Sequence, residues 1–440
     1  MFFFMKKIVR ALIFLSFLTI ALFVGKSKWI EFCKSAASKC NSYQPCKKGM
    51  VHVRKVLGML PFAATHHVLA NLYLNDGLED QAIEEYKKTL QMDKRFVQAY
   101  LTLANVYLRR RSFKEASELM RKAEGVISDN PDIKNLAKQV SLEYFLDAGM
   151  KVLEKGDRLK ARELLNNALE VDPNSAQAHY LLALSFDARQ DFYRVEDHLK
   201  EAIGLDPKFY QAHKFLGDVY FGKGDFEEAI EQYQFSLAIK NDDASALNNM
   251  GLANMNLERY GSAISSLEKA TALDPDNVET RHNLAAVCRD YGLWDKAVSG
   301  FISVVHRNPC YPDVHNDLGE IYENQGRVQE ALKEYRASIE CGQKRLSQNS
   351  RDPLLLVELA QAYSGIKEFE RAKKLVERVL MADPHNQKAY FTLANIYRSS
   401  DRPEAALATL EKAKKLSSKK YLFLEETIAD IKEQMSRSKL

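Results

Sequence analysis

The stretch from Tyr210 to Asp243 reads YQAHKFLGDVYFGKGDFEEAIEQYQFSLAIKNDD. Leu216, Gly217 and Tyr220 share one helical face. The turn Gly222-Lys223-Gly224-Asp225 follows, and Ala229, Ile230, Tyr233 and Leu237 mark a second face. Apolar and small residues at three- and four-residue spacing, on both sides of a glycine-containing turn, predict a pair of helices.

The same pattern returns 34 residues later as Met250-Gly251, Ala263, Leu267, Ala270 and Asp274-Pro275. After another 34 it returns as Leu284-Ala285, Ala297, Phe301 and Asn308-Pro309. This resembles the tetratricopeptide repeat, whose 34-residue unit runs L-G/A-x-x-Y … A-x-x-x-F … A … P. With the small residue set at position 8, ten units follow one another. Residues 63–130 hold the first two, 142–345 the third to eighth, and 353–420 the ninth and tenth. Residues 131–141 are an insertion, either an extension of the helices or a loop, and residues 346–352 are a second insertion. Residues 421–440 place Leu424, Ile428, Ile431 and Met435 on one stripe among charges, as a C-terminal capping helix requires.

The resemblance implies an all-α fold, a right-handed α-α superhelix (a tetratricopeptide solenoid). Each helix pair has too wide an apolar stripe to be stable alone, so it must stack on its neighbours. Position 8 (Ala70, Gly217, Gly251, Gly319) and position 20 (Ala82, Ala229, Ala263, Ala331) are expected to be where the two helices of a repeat cross. Tyr or Phe at positions 11 and 24 then fills the space beside them.

Composition agrees with a folded helical chain: 440 residues, 46% hydrophobic and 28% charged, with only 11 prolines and 19 glycines. Collagen-like and disordered classes are excluded. Residues 1–55 contain eleven Lys/Arg against the single acid Glu31, so the rest of the chain is net acidic although the whole is +4. Basic charge beside an apolar run points to a membrane surface rather than to nucleic acid.

That apolar run lies in residues 1–24, where Lys6, Lys7 and Arg10 precede ALIFLSFLTIALFV. It is short against the roughly 20 residues of a spanning helix. No small-x-small cleavage site follows, and Trp29 with its flanking lysines suits the membrane interface. The expectation is an N-terminal hydrophobic anchor helix, single-pass and uncleaved; cleavage would instead leave a secreted or periplasmic chain. Counting lysines and arginines favours a cytoplasmic C-terminal side, while the likeness to an export signal favours the opposite face. Residues 25–62 form a basic linker with Cys33, Cys40 and Cys46. Three sulfurs with no histidine at ligand spacing make a poor zinc site, leaving a disulfide or free thiols.

No phosphate loop, zinc-protease, nucleophile-elbow or dinucleotide signature is present. The reading is therefore of a chain that is not an enzyme, with no cofactor, no metal and no small-molecule substrate. His66, His179, His213 and His315 share position 4 of their repeats. Helices about 8–10 Å apart cannot bring same-position side chains to one ion with bonds of about 2.0–2.1 Å, so these histidines are assigned to packing.

The resemblance also implies that first helices line a concave wall, with positions 2, 5, 6, 9 and 12 facing a partner. The residues so placed are His67, Asn71, Asn105, Lys214, Asp218, Asn248, Asn249, His282, Asn283, Arg289, Asn316, Asp317, Glu320 and Asn395. Asparagine offers both donor and acceptor to an extended peptide backbone. Asn249, Asn283 and Asp317 repeat at one position and resemble the asparagine ladder of O-GlcNAc transferase repeats, interrupted by Leu181, Phe215 and Glu358. The other reading is solvated polar residues on an open helix face. By resemblance the chain is a membrane-anchored, non-catalytic scaffold that binds peptide segments or partner helices. The alternative is an accessory subunit of a glycosyltransferase or envelope polysaccharide-assembly system, or of a pilus or secretion machine.

Overall fold

The computed structural model describes residues 62–347, 352–416, 427–429 and 431–433. Among the described residues there is no strand, and twenty helices up to Leu416 make ten antiparallel hairpins. Helix contacts divide the chain into two compact units, one up to Pro207 and one from Lys208.

The first unit holds α1 (Ala63–Asn75), α2 (Glu79–Met92), α3 (Val97–Arg109), α4 (Phe113–Val126), α5 (Pro131–Glu154), α6 (Arg158–Val171), α7 (Ala176–Ser185) and α8 (Phe192–Leu205). The insertion 131–141 is helix, not loop. Pro131 occupies the first turn of the 24-residue α5 and the Asn130 side chain accepts from the Ile133 N–H at 3.0 Å. Ile133, Ala137 and Val140 of that extension bury themselves against Tyr100, Ala104, Ala116 and Met120. In the fourth repeat, α7 stops after ten residues at Ser185, so Phe186 falls outside the helix instead of on its face. Asp187 accounts for the stop: its carbonyl accepts from Gln190 and Asp191, and its carboxylate from the Arg189 N–H, which closes a turn in place of the last helical one.

The second unit holds α9 (Tyr210–Lys223), α10 (Phe226–Ile239), α11 (Ala244–Asn256), α12 (Tyr260–Leu273), α13 (Val278–Asp290), α14 (Trp294–Arg307), α15 (Pro312–Asn324), α16 (Val328–Leu346), α17 (Pro353–Gly365), α18 (Phe369–Ala382), α19 (Gln387–Ser399) and α20 (Pro403–Leu416). Position 8 is small for the expected reason. A Cβ on Gly217 would stand 2.7 Å from a ring carbon of Tyr233, and one on Gly319 2.6 Å from a ring carbon of Tyr335. The ring at position 24 thus lies flat against the backbone of the first helix, and Tyr233 is fully buried. α9 ends at Gly224, whose φ of 89° is left-handed. The N–H groups of Gly224 and Asp225 then reach back to the Tyr220 carbonyl, each at 3.0 Å.

The second insertion begins inside helix. α16 runs on to Leu346, five residues longer than its 14-residue counterparts, and residues 348–351 lie outside those described. Asp352 restarts the pattern by capping α17, accepting from the N–H groups of Leu354 and Leu355. Of the C-terminal helix, Ile428 and Ile431 are buried against Ala394, Ala406 and Leu410, as a docked cap demands. The anchor at 1–24, the linker and Cys33, Cys40 and Cys46 lie outside the described residues. Among the described residues no helix is long and apolar enough to cross a membrane.

Candidate partner-binding groove

The position-4 histidines do more than pack. Each bonds the residue 19 further on, at position 23 of the same hairpin: His66 Nδ1 to Glu85 at 2.5 Å, His179 to His198 at 3.1 Å, His213 to Gln232 at 2.9 Å and His315 to Glu334 at 2.7 Å. In the fifth repeat, that of the opening stretch, a second cross-hairpin bond joins position 24 to position 9. There Tyr233 donates to Asp218 at 2.8 Å, and in the first repeat Tyr86 donates to Asn71 at 2.6 Å.

Asp218 also accepts from Asn249 Nδ2 at 2.8 Å. Asn249 in turn accepts from Asn248 at 3.0 Å, and Asn248 from Asn283 at 3.0 Å. The carboxylate can only accept, so it fixes the sense of the whole chain of amides running from the seventh repeat to the fifth. Burial raises the Asp218 carboxyl above its usual range, although Tyr233, Asn249 and Lys214 work to lower it. Lys214 stands 3.6 Å from Asp243. Of the expected ladder, Asn249 and Asn283 are therefore linked through Asn248 rather than freely solvated, and Asp317 is not part of this chain.

From the seventh repeat onward the same face opens into a groove of about 840 Å³. His282, Arg289, Asn316, Asp317, Glu320 and Asn395 all line it, together with Asp313, Glu323, Lys367, Lys388 and Arg398. Arg289 is ion-paired to Asp317 and bonds Asp290 at 2.9 Å. Burial opposes the guanidinium charge, but Asp317 and Asp290 outweigh it and hold the group above its ordinary value. His282 Nε2 sits 3.4 Å from Asp317 and 3.6 Å from Asp313. Burial again disfavours the charged ring, and the two carboxylates overcome it and raise its pKa.

Asn316 Nδ2 donates to the Glu358 backbone carbonyl at 2.8 Å. The Asn316 Oδ1 and Glu358 Oε2 atoms are buried without a hydrogen-bond partner. Burial pushes the Glu358 carboxyl up to about 7, with Asp313 adding to it while Lys388 and Arg345 pull it down. Acidic side chains crowd the part of the groove formed by α13 and α15, and the basic Lys367, Lys388 and Arg398 stand on the α17–α19 side, all three exposed.

Tetratricopeptide models match residues 67–131, 146–193 and 289–345, residues 244–277 and residues 367–417, and a TPR repeat model matches residues 217–258. The chain belongs to the tetratricopeptide repeat family. Among solved structures it is similar to yeast Tom70, at 18% identity over 92% of this chain and 96% of that one, with a TM-score of 0.43. It is also similar to YrrB, a TPR protein with an unusual peptide-binding site, at 21% identity over 40% of this chain and 91% of that one, with a TM-score of 0.37. A third likeness is to Pseudomonas aeruginosa pilF, at 15% identity over 50% of this chain and 96% of that one, with a TM-score of 0.43.

Within this tetratricopeptide chain the expected concave residues fall into distinct places. His67 is buried against Phe96 and Tyr86, with ring centroids 4.9 and 5.7 Å away, so it serves the core. Asn71 is tied to Tyr86, and Asn105 is exposed. Asp218, Asn248, Asn249 and Asn283 belong to the amide network, Lys214 stands beside it against Asp243, and none of the five lines the groove. The sequence reading missed Asp313, Glu323, Lys388 and Arg398. All four hold tetratricopeptide positions 2 or 12 of the eighth and tenth repeats, so carrying the same register through would have found them. Lys367 offers no such signal, because it comes from the turn between α17 and α18.

Proposed function

We propose that this tetratricopeptide protein is a non-catalytic scaffold that captures an extended peptide segment or partner helix in the groove of its seventh to tenth repeats. One observation carries the reading: six of the residues expected to face a partner line a single groove, and one of them, Asn316, has its Oδ1 buried without a hydrogen-bond partner. A buried polar atom left unpaired costs about 1–3 kcal/mol, and a ligand's N–H groups would remove that cost. The hydrophobic segment 1–24 would hold the scaffold at a membrane, so its guests belong to a membrane-associated complex.

The test uses peptides selected from a random displayed library on the full chain, with affinity read by fluorescence anisotropy. Lys388→Glu and Arg398→Glu change exposed groove charges outside the amide network. They should weaken binding at least about tenfold, or 1.4 kcal/mol, with the melting temperature unchanged. Selected peptides indifferent to both changes and to Glu320→Lys would sink the groove as the binding site. Attachment is tested separately, by a reporter active on only one side of a membrane fused after Leu440. Release of the full chain into the soluble fraction would refute the anchor.

A further inference from the structure

We propose that Cys310 and Cys341 form a reversible disulfide that staples the seventh repeat to the eighth. Cys310 lies in the connection between α14 and α15, where its N–H bonds Asn308 Oδ1 at 3.3 Å. Cys341 lies on α16, close to the point where that helix outruns its usual length. The Cys341 thiol donates at 3.7 Å to the carbonyl of Pro309, the residue immediately before Cys310. The same Pro309 carbonyl accepts from His315 Nε2 at 3.1 Å, so the backbone that carries Cys310 is pinned on two sides opposite its partner sulfur. Both thiols are free and partly exposed, whereas Cys288 is free but buried. A sulfur held against the carbonyl next to Cys310 stands within side-chain reach of that cysteine, and rotation of the two side chains would bring the sulfurs to the bonding separation of about 2.05 Å.

The contact also orders the chemistry. Burial first, and then the neighbouring Cys310, raise the Cys341 thiol, which makes Cys341 the poorer first attacker. With oxidised glutathione as oxidant, Cys310 gives its proton to water. Its thiolate then attacks one glutathione sulfur, breaking that S–S bond and releasing one glutathione thiolate, which takes up a proton. Cys341 deprotonates and attacks the Cys310 sulfur, and the second glutathione leaves and is protonated. Two cysteine thiols are oxidised and one glutathione disulfide is reduced to two thiols. The bond closes a loop of about thirty residues around the whole of α15, the helix that carries Asp313, Asn316, Asp317 and Glu320 of the groove. Oxidation would therefore stiffen this wall of the groove.

The test equilibrates the full chain across a series of reduced-to-oxidised glutathione ratios, quenches with acid, alkylates with iodoacetamide and digests with trypsin without reduction. Cleavage after Arg307, Arg327, Arg336 and Lys344 leaves Cys310 in peptide 308–327 and Cys341 in peptide 337–344, each the sole cysteine of its peptide. A linked 308–327/337–344 pair should replace the alkylated peptides as the buffer becomes oxidising. The oxidised protein should melt about 5 °C or more above the reduced one. Cys310→Ser and Cys341→Ser should each abolish that rise, while Cys288→Ser keeps it. Two fully alkylated peptides at the most oxidising ratio would overturn the pairing. So would glutathione adducts that never resolve, or links from either residue to another cysteine.

Discussion

His315 bonds through both ring nitrogens, Nδ1 with Glu334 at 2.7 Å and Nε2 with the Pro309 carbonyl at 3.1 Å. A carboxylate and a carbonyl can only accept, so the two bonds are made together only by the doubly protonated ring. Burial disfavours that charge, but the bonds to Glu334 and Pro309 prevail and raise the pKa above the usual histidine value. A folded-state pKa above the unfolded value of about 6.5 contributes stability that is complete below that pH. The contribution is lost as pH rises through the folded value. Glu334→Gln should therefore cost about 1–2 kcal/mol at pH 6 and much less at pH 9, measured by urea unfolding. An identical difference at both pH values would refute the ionic assignment.

Glu358 works in the opposite sense. Its carboxyl titrates at about 7 in the folded chain because it is buried, at 5% exposure, with Asp313 nearby. A raised carboxyl pKa means that the folded state holds the proton more tightly than the unfolded one, so stability falls as pH climbs from about 4.3 through the folded value. Glu358→Gln abolishes this penalty. The variant should match the parent at pH 4.5 and exceed it by on the order of 2 kcal/mol at pH 8, provided the amide takes up the unpaired acceptor site. A gain that is the same at both pH values would mean packing, not ionisation, is responsible.

Position 15 of nearly every repeat is left-handed. Gly77, Gly156, Gly224, Gly292 and Gly326 occupy it at φ between 73° and 89°, but so do Arg111, Glu258, Lys367 and Asp401 at φ between 56° and 65°. Side chains in that region pay roughly 1–2 kcal/mol, partly offset by the greater entropy glycine loses on folding. Glu258 is exposed and stands in an ordinary turn between α11 and α12. Glu258→Gly should then stabilise the chain by about 1 kcal/mol, seen as a higher denaturant midpoint at unchanged slope. A lower midpoint would show that the Glu258 side chain makes up for its backbone.

These features show where the sequence could be read and where it could not. The crossing of Gly217 under Tyr233 was legible because both ends of the contact are typed positions of one period. The docking of Ile428 and Ile431 was legible as a stripe. The latch from His315 to Glu334 was not, since position 23 holds Glu85, His198, Gln232 and Glu334 in turn, with no common residue type to notice. Nor could Glu258 or Lys367 announce a left-handed turn, because neither residue type favours one. The early end of α7 before Phe186 needed the Asp187 turn, a local bond that competes with the repeat pattern. In the groove, helix register put Asp317 and Glu320 on the lining face but could not tell that Asp317 is already committed to Arg289.

The amide network carries the sharpest consequence of that last point. Read as open concave-face residues, Asn283, Asn249 and Asp218 should all tolerate truncation. As bonded, they are not equivalent. Asn249 donates to Asp218 and accepts from Asn248, so Asn249→Ala leaves the half-buried carboxylate with Tyr233 as its remaining donor in this network and strands the Asn248 amide. Asn283 stands at the donor end, and Asn283→Ala frees only one acceptor of Asn248. Losing a bond to a charged group costs about 1.5–3 kcal/mol, against about 0.5–1.5 kcal/mol for a neutral pair. Asn249→Ala should accordingly lower stability by about 2 kcal/mol and Asn283→Ala by about 0.5 kcal/mol, both read by chemical denaturation. Asn249→Ala combined with Asp218→Asn should recover part of the larger loss, because the half-buried charge is then gone. Equal costs for the two alanine variants would mean the relay does not run to Asp218 in solution.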